Sequence, residues 1–168
     1  SNYCRWISTD NHHFDNNISD SRWAEYLLIS QKKCVALMDL AARHLPAQFP
    51  QLIEVSLLWT DDQTVVGLNH RFRGKSEATN ILSFPSGDQS GLAESRLFLG
   101  DLVLGYETIM SEAKAADIAE QDHIVHLILH GLLHLVGFDH IDDEKASEME
   151  GLETHLLSEI GIEDPYNS

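Results

Sequence analysis

The segment His130-Gly131-Leu132-Leu133-His134-Leu135-Val136-Gly137-Phe138-Asp139-His140 leaves the chain few ways to fold around it. Its first two histidines are four residues apart, so on a helix they share one face and can grip one ion. Gly137 can adopt the left-handed conformation that ends a helix and turns the chain back. That reversal swings His140 toward the same ion. The spacing therefore predicts a helix, a glycine stop and a metal held by His130, His134 and His140. Three protein ligands leave one coordination position for water, as in catalytic rather than structural zinc. One Zn2+ per chain is the expected cofactor, although imidazole also suits nickel, iron and copper.

The spacing is that of the metzincin proteases, with one departure. Position 131 is glycine, where those proteases carry the glutamate that activates water. A metal here can still lower the pKa of its water to about 7, so the chemistry is hydrolytic without being that of a peptidase. Asp139 beside His140 is a candidate proton acceptor or partner of a ligand, or else a turn-forming residue. His126 lies on the same helix face but about 12 Å from His134 along the axis, too far to share one ion. It is assigned to the cleft wall or to substrate contact. His12, His13, His44, His70, His123 and His155 follow no pattern and are expected to be solvated.

At 168 residues and 43% hydrophobic content the chain is expected to form one domain, residues 1–168, with a substantial core. No apolar run is long enough to cross a bilayer, and no signal-peptide pattern opens the chain. Cys4 and Cys34 have no metal spacing and are expected to be reduced, buried thiols of a cytoplasmic protein. The net charge of −16 disfavours broad nucleic-acid binding, because polyanions need a basic surface. Positive charge for any RNA substrate must be local, supplied by a metal, a small basic cluster or a partner.

Strands and helices alternate along the chain. A first strand is expected around Tyr3–Thr9, followed by a polar loop over 10–20. Ser21 caps a helix to about Arg43, and Pro46 and Pro50 break it. Ile53–Thr60 reads as a strand and Asp61–Phe72 as a helix. Thr79–Phe84 is a short strand closed by Pro85, and residues 86–95 form a loop. Leu97–Leu104 is a strand, Gly105–Ala119 a helix, and Asp122 opens the histidine helix. Asp142–Glu159 is the last helix, with Met149, Leu152, Leu156 and Ile160 at helical spacing. This pattern predicts an α/β (α+β) domain with a short, mostly parallel, mixed four-stranded sheet and five or six helices.

A second cluster lies at residues 69–85. Arg71, Arg73 and Lys75 place three cations in five residues of an otherwise acidic chain. Arginine's planar fork suits phosphate oxygens, and Lys75 adds a point charge. Thr79, Asn80 and Ser83 supply neutral hydrogen bonds that can orient a ligand.

Taken together, these segments resemble the YbeY family of bacterial metal-dependent endoribonucleases. The likeness rests on Phe72-Arg73-Gly74-Lys75, Thr79-Asn80-Ile81-Leu82-Ser83-Phe84-Pro85 and Leu99-Gly100-Asp101-Leu102-Val103, with His130 through His140. Asp143-Glu144, Met149-Glu150 and Glu163-Asp164-Pro165-Tyr166 extend it, so that it spans roughly residues 50–166. The resemblance implies a single α/β domain, a metal on the three histidines and single-stranded RNA as substrate. It also implies action in rRNA maturation, at the 16S 3′ end, and in ribosome quality control. Arg73 matches a functional arginine of the metal cleft. The expected partners are ribosomal RNA and the ribosome or its proteins, with neither DNA nor membrane. A non-catalytic ribosome-assembly adaptor and a zinc peptidase are the rival readings.

Overall fold

The computed structural model describes residues 2–7, 12–27, 32, 33, 36, 52–75, 77, 79–85, 96–135, 151 and 154–158. Strands β1 (Asn2–Ile7), β2 (His12–Ile18), β3 (Leu52–Thr60), β4 (Ile81–Pro85) and β5 (Arg96–Gly105) form one mixed sheet. Its order is β1-β2-β3-β5-β4, which leaves β4 on an edge. Helix α1 (Asp62–Arg73) joins β3 to β4, and α2 (Tyr106–Ala116) and α3 (Glu120–Leu135) follow β5. A 3-10 turn, Ser21–Trp23, leads into helical residues 24–27, and 154–158 are helical too.

The α/β class holds, and the four strands expected are present. A fifth, β2, arises from the polar stretch expected to be a loop. β2 pairs antiparallel with β1 and parallel with β3. The sheet is thus evenly mixed rather than mostly parallel, since β3–β5 is parallel and β4–β5 antiparallel. Polarity did not keep β2 out of the sheet because Asn16 has a buried task. Its Oδ1 accepts the indole N–H of Trp59 at 2.6 Å, and both residues are fully buried. An indole N–H left without a partner there would cost about 1–3 kcal/mol.

Alternation along the strands divides the core. Val55, Leu57 and Trp59 of β3 and Leu102 and Leu104 of β5 face α3, where Ile124, Leu127, Ile128 and Leu132 pack on them. Trp23 completes this layer, with its ring centroid 5.1 Å from those of Trp59 and Tyr106. Its N–H donates to the Thr60 carbonyl at 2.9 Å. On the opposite face Leu82 and Val103 pack with Val65 and Leu68 of α1. Burying each such aliphatic side chain is worth about 1.5–3 kcal/mol. Among the described residues, no helix is long and apolar enough to cross a membrane.

The chain opens α1 with Asp61, whose carboxylate accepts from Thr64 N–H at 2.7 Å. Gly74, at φ 69°, closes it in the left-handed conformation. The Ser21 cap falls one residue early, because Asp20 takes the N-cap position and accepts from Arg22 N–H. Helix α3 begins at Glu120, ahead of the expected Asp122. Of the last helix, the described Leu156 and Leu157 are buried, while Met149, Leu152 and Ile160 lie outside the described residues.

Candidate active site

Helix α3 has two unlike faces. Ile124, Val125, Leu127, Ile128, Leu129, Leu132 and Leu133 are buried, whereas His123, His126, His130 and His134 are half-buried at spacings of three, four and four. Such spacing keeps the four imidazoles on one side. Glu120 and Asp122 in the first turn complement the helix dipole.

The first two histidines of the motif converge. His130 Nε2 and His134 Nε2 are 3.0 Å apart, with ring centroids 4.6 Å apart and planes at 72°. Two imidazole nitrogens bound to one tetrahedral zinc at about 2.0–2.1 Å would be about 3.3 Å apart. The pair therefore fits a shared divalent ion with little adjustment. His140 and Asp139 lie outside the described residues, and among those described no group of three metal-ligating side chains converges.

Gly131 lies on another side of the helix. A Cβ there would meet Leu102 Cδ2 at 2.7 Å and Ile81 Cδ1 at 3.4 Å. The position faces the sheet, and close approach of α3 to β4 and β5 requires that it have no side chain. The glutamate of the metzincin motif has no room here.

The histidines upstream are also engaged. The His126 ring lies 6.3 Å from that of His130 and 6.4 Å from that of His123. His126 thus lines the helix beside the His130–His134 pair. His123 is not solvated as expected, since its Nε2 lies 2.9 Å from Glu112 Oε1. Its Nδ1 is buried without a hydrogen-bond partner among the described residues. Sequence spacing gave no hint of this contact, because Glu112 comes from α2.

Glu112 also holds Asn80. The Asn80 amide donates to both carboxylate oxygens, at 3.1 and 3.3 Å, and its Oδ1 accepts the Ile81 N–H at 2.6 Å. Asn80 is thereby a bracket joining the start of β4 to α2, with His123 bringing in α3. Thr79 precedes it and is half-buried.

The basic cluster meets the same strand from the other side. Arg73, the last residue of α1, donates from Nη2 to the Ser83 carbonyl on the β4 edge. Its guanidinium carbon lies 5.3 Å from the centre of the Phe84 ring. Ser83 shares a strand face with Ile81, the residue that meets Gly131 of α3. Lys75 is exposed just beyond the Gly74 cap. β4 thus lies between an exposed arginine and the histidine helix.

A family model described as "Endoribonuclease YbeY" matches residues 17–161. The chain belongs to the YbeY family. Among curated relatives, the endoribonuclease YbeY of Paramagnetospirillum magneticum is 44% identical over 149 residues, covering 86% of this chain and 89% of its own. That of Agrobacterium fabrum is 42% identical over 132 residues, 78% of this chain and 79% of its own. The Ruegeria pomeroyi relative is 46% identical over 129 residues, 70% of this chain and 78% of its own. The solution structure of TM1509 from Thermotoga maritima superposes with a TM-score of 0.59 at 19% identity, over 86% of this chain and 88% of that one. At that identity it speaks for the fold alone.

Proposed function

We propose that this YbeY-family chain is a zinc-dependent endoribonuclease that cuts single-stranded RNA during rRNA maturation, including the 16S 3′ end, and in ribosome quality control. The observation that carries this reading is the convergence of His130 and His134 Nε2, 3.0 Å apart, on a helix packed against the strand that anchors Arg73. Family membership and the endoribonuclease name of the relatives support it. Nothing in the geometry favours a peptidase, because Gly131 faces the sheet.

His130 and His134, joined by His140, would hold the ion. When bound, that ion supplies a Lewis acid for a phosphodiester; nickel or another divalent metal would serve the same donors. Arg73 is exposed at the β4 edge and can place its remaining guanidinium donors on the scissile phosphate, offsetting charge as it develops there. Lys75 adds a positive charge to the flanking backbone. The Ser83 hydroxyl and Thr79 line the strand between Arg73 and the helix and orient the substrate. Asn80 does so through its bracket. His126 forms the wall beyond His130, and Asp139 accepts the proton. A splayed strand offers its phosphates to such a surface more readily than a duplex does. The site would work in the cytoplasm, with the ribosome or its proteins adding the positive surface that a chain of net charge −16 lacks.

The test is to replace Arg73→Glu and His130→Ala separately and map rRNA 3′ ends in cells depleted of the native protein. Both variants should accumulate unprocessed ends, with folded protein verified by circular dichroism. Normal ends from both would overturn the assignment.

A further inference from the structure

Among the described residues, the sheet face opposite α3 is only partly covered. Helix α1 lies over Val103 and Leu82, and beyond it a groove of about 610 Å³ opens. That volume is within the roughly 300–1,000 Å³ of small-molecule sites. Its floor is a row across three strands, because Ser56 pairs with Asp101 and Asp101 with Phe84. Asn17 of β2 extends the floor, and its Oδ1 is buried with no hydrogen-bond partner among the described residues. Asp101 is solvent-accessible, and partial desolvation by the groove raises the pKa of its carboxyl.

The rim is aromatic and cationic. Phe72 is 62% exposed, an unusual state for so large an apolar ring. It stands edge-on to Phe84, with centroids 5.6 Å apart. Arg71 lies over Phe72 at 5.6 Å and Arg73 over Phe84 at 5.3 Å. Two rings backed by two guanidinium groups form a stacking platform with cations for the adjoining phosphates. The floor presents the Asp101 carboxyl as an accessible acceptor, and so calls for a ligand with N–H donors.

We propose that this groove is a nucleobase subsite, in which an RNA base bearing an exocyclic amine stacks on Phe72, beside the edge-on Phe84 ring, and donates to Asp101. Guanine fits best, because its ring N–H and amine can donate side by side to one carboxylate. Uracil has only one N–H to offer. The inference rests on the RNA reading above and adds base preference to it. The groove adjoins β4, the strand that Arg73 grips, so one strand of RNA can place a phosphate at Arg73 and a neighbouring base on the platform. A polyanion is favoured over a peptide because both cations flanking the rings belong to a chain of net charge −16.

The experiment measures binding of fluorescein-labelled pentaribonucleotides UUGUU and UUUUU to the full chain by anisotropy, with zinc present. Wild type should prefer UUGUU by about ten-fold. F72A should weaken both pentamers by roughly ten-fold. D101N should erase the preference, so that UUGUU and UUUUU bind alike. Variants that bind both pentamers as wild type does, while wild type processes rRNA, would overturn the subsite alone. A wild-type chain that neither binds RNA nor processes it would remove the endoribonuclease reading and the subsite with it. Loss of ribosome association by F72A with pentamer affinity intact would make the groove a protein dock and overturn the inference.

Discussion

Gly131 of α3 and Leu102 of β5 meet so closely that a methyl group at position 131 would lie 2.7 Å from Leu102 Cδ2. This contact sets the distance between the histidine helix and the sheet. It also explains why the motif departs from the peptidase pattern at that residue. G131A should cost about 1–3 kcal/mol by overpacking, read from urea unfolding. L102A, itself costly, should destabilise the G131A background less than it destabilises wild type. Simple additivity of the two changes would contradict the contact.

The ligand pair makes a prediction about metal that does not depend on catalysis. Wild-type protein should bind one divalent ion by mass spectrometry of metals, and H134A should bind far less. Adding zinc at about 100 times its Kd should stabilise wild type by about 2.7 kcal/mol and leave H134A unchanged. Chelation should preserve most of the far-ultraviolet circular dichroism, because the sheet and α3 pack through apolar contacts rather than through the ion. Unfolding on chelation would instead make the metal a structural staple.

Glu112 joins Asn80 of the β4 start to His123 of α3. E112A leaves both partners without their carboxylate and should cost about 1–3 kcal/mol. E112Q keeps a hydrogen-bonding group in place and should cost less. Equal stability of wild type and E112A in urea would show that the bracket carries no weight.

Asp101 gives the pH dependence a sign. Its pKa is raised in the folded protein by partial desolvation, although the residue stays solvent-accessible, so the folded state holds the proton more tightly than the unfolded one. Its contribution therefore favours folding less as pH rises, in the window that starts at the ordinary carboxylate value of 3.8 and extends above it. D101N should melt higher than wild type at neutral pH, and the difference should shrink as pH falls through that window. A D101N advantage that grew toward acid would reverse the assignment.

Local chemistry made a good part of this protein legible. The i, i+4 histidines did place two imidazoles on one helix face, and β3 alternates as its sequence suggests. Gly74 ends α1 as a glycine after a helical run should. Misreadings arose where a distant partner decided the outcome. The Asn-rich stretch around Asn16 looked like a loop because its reason for burial, the Trp59 indole, is 43 residues away. His123 looked solvated because Glu112 belongs to another helix.

From its sequence alone this chain yields its α/β class, the helix carrying the histidine pair, and its family, since helical period, capping and motif spacing act within a few residues. The fifth strand, the closeness of Gly131 to Leu102, the bracket around Glu112 and the row Ser56–Asp101–Phe84 were decided only by tertiary packing. Those features depend on which side chains meet across strands and layers. Buried polar groups seek partners wherever the fold brings them, and linear order does not record where that is.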